Sequence, residues 1–147
     1  MAFIETVMQK GHLENAHTAK DVTELVFRTM RDLMTTEASD RVAAELHQHK
    51  EVVPTDDHKP LPDKVEDLWH DTNPIVGFIS RIQEPLKIDS ESFLYRIRQE
   101  AHLPEGISSE TVVSAVFSAT KEELSPERIE EIASFLPEKV QEMWRQA

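Results

Sequence analysis

The sequence has no cysteine, three glycines, one tyrosine and two tryptophans among 147 residues. Without cysteine there is no disulfide, no thiolate metal site and no cysteine nucleophile, a composition that fits a reducing compartment. Glycine is too scarce for the loops that cradle phosphates or dinucleotides, and no G-x-S-x-G elbow offers a serine nucleophile. Basic residues are also in deficit. Sixteen Lys and Arg against 28 Asp and Glu leave a net charge of −12, which opposes binding to nucleic acid or to an anionic membrane surface. No apolar run approaches the roughly 18 residues of a membrane span, and "PIVGFIS" from Pro74 is the longest candidate. The opening "MAFIETVMQKGH" carries Glu5 and does not read as a secretory signal. Together these absences predict a cytoplasmic protein without nucleic acid, membrane or bound cofactor.

What the sequence does have is a repeat. "LPDKVEDLW" (61–69) returns as "LPEKVQEMW" (136–144). Upstream of each phrase, a shift of 90 residues superposes 3–46 on 93–136 without gaps, with ten identities in 44 positions. Shared composition alone would give about three. The identities include Phe3/Phe93, His12/His102, Val22/Val112, Val26/Val116 and Phe27/Phe117. The phrases themselves align at a shift of 75, so the first copy carries fifteen extra residues, His47 to Leu61. A duplication accounts for the pattern.

Each copy reads as helices. Val22, Leu25, Val26, Thr29, Met30 and Leu33 follow the spacing of one apolar helical face. Thr18, Ser108, Thr35 and Ser125 stand where a side-chain oxygen would cap a helix start, and Pro126, Pro62 and Pro137 suit a first turn. Trp69 and Trp144 are expected to anchor the core, and the His12 and His102 rings to cap helix carbonyls. Between the copies, Ile75, Phe78, Ile79 and Ile82 define a further helix that Pro85 ends. The expected fold is all-α, a duplicated helical bundle of two three- to four-helix repeats joined by a connecting helix with pseudo-two-fold symmetry. Repeat 1 spans 1–70 with its insertion at 47–61, the connecting helix and linker span 71–91, and repeat 2 spans 92–147, all packed as one compact unit.

"FLYRIRQEAHLP" followed by "ETVVSAVFSATKEELSPERIEEIASFLPEKVQEMW" resembles the bacterial domain-of-unknown-function family 2267. The likeness is best over 92–144 and weaker over 3–69, where the histidine-bearing insertion departs from the compact pattern. It implies an all-helical bacterial protein of two related halves. No activity is settled for that family, so it supplies no catalytic residue.

Two sets of residues are candidates for function. His47, His49, Asp57 and His58, with Asp56 beside them, gather imidazoles and carboxylates of the kind that zinc or another divalent metal takes. This metal-binding or metal-hydrolase reading competes with a polar loop that closes a helix. The second set breaks the general acidity. From Pro74 to Arg98 there are four basic residues and three acidic ones. Ile75, Phe78, Ile79 and Ile82 with Arg81, Arg96 and Arg98 therefore form a candidate interface for a partner protein or a second copy. His70-Asp71 and Glu14-x-x-His17 match fragments of metal-site motifs, but both are incomplete and are set aside. Acidic pairs such as Glu122-Glu123 point apart on a helix and read as solvated faces. With no catalytic apparatus visible, the leading expectation is a non-enzymatic interaction or self-association module.

Overall fold

The computed structural model describes residues 3–46, 69, 88–101 and 103–147, and every regular element among them is an α-helix. The first three are α1 (Phe3–Gly11), α2 (Ala16–Asp32) and α3 (Thr36–Leu46). After the insertion and the connecting segment follow α4 (Ser90–Glu100), α5 (Ser109–Lys121), α6 (Pro126–Phe135) and α7 (Glu138–Gln146). The insertion and the expected connecting helix lie outside the described residues.

Local chemistry sets these boundaries. Thr35 caps α3 by accepting from Ala38 N at 3.2 Å. Ser108 caps α5 through Thr111 N at 3.2 Å, and Ser125 caps α6 through Arg128 N at 3.3 Å with Pro126 in the first turn. The expectation fails for α2, where Asn15 is the cap, accepting from His17 N at 2.7 Å and Thr18 N at 3.3 Å. Thr18 therefore sits inside the first turn. Pro137 likewise precedes α7 and makes no side-chain cap bond. A distant residue supplies that cap, because Ser90 Oγ accepts from Lys139 N at 2.9 Å and Val140 N at 3.1 Å.

The end of α1 is closed by backbone rather than by the His12 ring. Leu13 N donates to Met8 O at 2.8 Å while His12 adopts a left-handed φ of 57° with its side chain exposed. This is the geometry of a Schellman cap, with Leu13 buried as its apolar contact. A side chain other than glycine carries a cost of about 1 kcal/mol in that conformation. His12→Gly is therefore expected to stabilise the protein by about that amount, read as a higher denaturant midpoint at unchanged slope.

Packing follows the apolar faces. α1 lies chiefly against α5, more extensively than against its sequence neighbour α2, and α4 contacts α2, α5 and α7. One hydrophobic core thus draws on both ends of the chain. Phe3, Val22 and Val26 are buried, and so are Phe93, Val112 and Val116. Two aromatic ladders run through this core. Phe3 stands 5.9 Å from Phe27, which meets Trp69 edge-on at 5.0 Å; Phe93 stands 6.4 Å from Phe117, which meets Trp144 edge-on at 5.0 Å. Each indole N–H is satisfied by a carbonyl, Trp69 by Ser39 O at 3.1 Å and Trp144 by Ile129 O at 3.0 Å. Buried Thr23, Thr29 and Thr120 donate to carbonyls one turn back, which removes the cost of an unpaired hydroxyl.

Where α3 meets α6 the contact is polar. Glu45 accepts from Ser125 N and Ser125 Oγ, both at 2.8 Å, and lies 3.6 Å from Arg128. Glu131 pairs with Arg41 and, at 3.1 Å, with Arg128. The hydrogen bond from Arg41, helped by the charge of Arg128, holds the Glu131 carboxyl below the usual carboxylate range. Asp89 is held low mainly by the Ser92 N–H that it accepts at 2.7 Å. For both groups the unfolded chain takes up protons first as the pH falls. Their stabilisation is thus complete above the ordinary carboxylate pKa and is lost as the pH drops through the lower folded values. The melting temperature is expected to fall from about pH 5 downward. Glu131→Gln together with Asp89→Asn should flatten that descent.

Candidate functional site

α1 and α5 approach closely because small residues face each other. A Cβ added to Gly11 would lie 3.5 Å from the Ala115 Cβ, an ordinary contact distance. Lys10 reaches over the seam and donates to Ser118 Oγ. A shallow hollow of about 470 Å³ remains there, lined by Lys10, Glu110, Thr111, Ser114, Ala115 and Ser118. Ala147 completes the lining, and the charged side chains are one ammonium, Lys10, and one carboxylate, Glu110.

A deeper groove of about 550 Å³ lies between α2 and the end of α4. Its positions stand ninety residues from those of the hollow, but the chemistry differs. Leu25 replaces Ala115, and Asp21, Glu24 and Arg28 replace Thr111, Ser114 and Ser118; Glu100 replaces Lys10. Buried Val22 and Leu25 with half-buried Ala101 give the groove an apolar floor. Asp21, Glu24 and Arg28 share one face of α2, and Glu24 also pairs with Lys20 at 3.2 Å. Past Gln99 and Ala101 a second depression, about 690 Å³, continues round the α4–α5 turn and includes Arg98, Glu105 and Glu110. On the outer face of α4, Tyr95 is 62% exposed and Arg98 is exposed one turn further on.

Of the interface residues expected from sequence, Arg96 and Arg98 are described. Arg96 is committed to the fold, donating to Asp32 on α2 at 2.7 Å. Arg98 remains at the surface. Ile75, Phe78, Ile79, Ile82 and Arg81 lie outside the described residues, as do the candidate metal ligands His47, His49, Asp57 and His58. No group of three or more His, Asp or Glu among the described residues is arranged to hold a metal ion. Nor, among them, is any helix long and apolar enough to cross a membrane.

Sequence reasoning missed the groove. Asp21, Glu24 and Arg28 look like an ordinary solvated helix face, and Glu100 like the end of another. The available signal was the ninety-residue register of the sequence, in which hydroxyl and small residues of one segment stand opposite charged or large residues of the other. The family described as uncharacterized conserved protein, DUF2267, matches residues 1–143 of the chain. Comparison with curated proteins gives no match.

Proposed function

Since the chain belongs to the DUF2267 family, described only as uncharacterized conserved protein, its role has to be read from its own surfaces, and we propose a non-enzymatic helical module that works through protein–protein contact, with a partner protein or with a second copy. The observation that carries this reading is the outer face of α4. Tyr95 is the one large hydrophobic side chain left exposed among the described residues, and exposed Arg98 lies beside it. Tyrosine and arginine are the residue types that dominate binding energy at interfaces, because both combine broad contact area with directional polar groups. Ile75, Phe78, Ile79, Ile82 and Arg81 belong to this reading on sequence grounds alone. In the same reading the chain is a cytoplasmic duplication, with 1–70 and 92–147 as its repeats and 71–91 as the connector. The matched aromatic ladders and the carbonyl partners of the two indoles support the duplication.

Site-specific photocrosslinking tests the interface. A photoreactive residue at position 95 should yield a discrete crosslinked product, to another protein or to a second copy, whereas one at exposed position 127 should not. The same products from both positions, or none from position 95, would refute the reading.

A further inference from the structure

We infer that the groove between α2 and α4 docks a basic, amphipathic segment of a partner protein, placing an aliphatic side chain on the apolar floor and lysines or arginines against its rim. This inference rests on the interaction reading above and names the chemistry of the partner. The floor is Val22, Leu25 and Ala101, and the rim carries Asp21, Glu24 and Glu100. One guanidinium, Arg28, stands among the three carboxylates, so the lining is acidic even though Lys20 pairs with Glu24. Acidity is not a requirement of this position in the fold. The hollow over α1 and α5 uses Thr111, Ser114 and Lys10 at the corresponding places, and its two charged side chains, Lys10 and Glu110, balance. The two depressions thus stand at corresponding sequence positions with different side-chain charge, and a cationic segment discriminates between them. Carboxylates at a rim steer and orient a basic partner, while apolar contact beneath them supplies area that is removed from water.

The probe is a fluorescein-labelled helical peptide of leucines and lysines, compared with its leucine–glutamate counterpart by anisotropy at physiological salt. The lysine peptide should bind saturably and more weakly as salt is added, and the glutamate peptide should not bind. Asp21→Asn, Glu24→Gln and Glu100→Gln together should weaken binding by about tenfold or more. The same loss of charge elsewhere, through Asp40→Asn, Glu127→Gln and Glu142→Gln, should change it by about twofold or less. Ala101→Trp, which fills the groove without altering charge, should also weaken binding, with an unchanged helical spectrum showing that the fold persists. Equal weakening by the two triple variants would mean that only net charge matters and would overturn the inference. Absence of saturable binding, or binding of both peptides alike, would overturn it too. Crosslinking from position 95 is independent of these measurements, so it separates failure of the basic-partner inference from failure of the interaction reading.

Discussion

Trp144→Ala and Trp69→Ala are each expected to lower the free energy of unfolding by about 3–5 kcal/mol, the range for truncating a large buried aromatic. Both indoles are completely buried. Each stands at the end of its aromatic ladder and satisfies a backbone carbonyl, so truncation removes ring contact and also leaves Ser39 O or Ile129 O without its indole donor. Around Trp144 the loss extends further. Lys121 Nζ lies 5.9 Å from the ring centroid and donates to the carbonyls of Trp144 at 2.8 Å and Ala147 at 3.0 Å, tying down the end of α7. Denaturant unfolding should show the change as a lower midpoint with little change in slope. Trp144→Phe should recover most of the deficit and leave about 1–2 kcal/mol for the missing N–H donor and the smaller ring. Melting of both alanine variants within about a degree of the parent would show that these side chains do not hold the core, because even 1 kcal/mol moves the midpoint by several degrees.

Separating the chain at residue 70 is expected to abolish cooperative folding of both pieces. The first fragment would keep α1 but lose α5, the surface against which α1 chiefly packs. The second would expose that surface, including Ala115 where Gly11 approaches it, and would lose the Glu45 carboxylate that holds the start of α6. A fragment of about 70 residues has little margin, because short chains bury a smaller fraction of their surface. Residues 1–70 and 71–147 alone should each melt without a sharp transition. Mixed in equal amounts, they should regain helical signal and a cooperative melt. A sharp transition from either fragment alone would contradict the shared core.

The sequence pattern made the helices legible because burial on one side of a helix imposes its period directly on the residues. Val22, Leu25, Val26, Met30 and Leu33 are all buried as their spacing predicts. The start of α2 was less legible because its first turn, Ala16, His17 and Thr18, is only half-buried and lacks the apolar period, so nothing in the pattern moves the cap from Thr18 back to Asn15. Periodicity also shows which face is covered without showing what covers it. Nothing in α1 itself reveals that Phe3, Ile4 and Val7 are bound for a surface that includes α5. The same gap affected the candidate site. Arg96 and Arg98 carry the same charge two positions apart, yet one is turned to Asp32 and the other to solvent. The direction of a charged side chain depends on the neighbouring helix, and only the assembled bundle supplies that neighbour.

The pairing of α1 with α5 also sets a timetable for synthesis. α5 is complete only when residue 121 has been made, 110 residues after Gly11 closes α1. At elongation rates of about 5–20 residues per second, α1 waits roughly 5–22 seconds for the helix against which it chiefly packs. A ribosome that stalls before residue 109 therefore displays α1 without the larger of its packing surfaces. Such a chain is a natural target for chaperones that hold nascent hydrophobic segments until the rest of the core arrives.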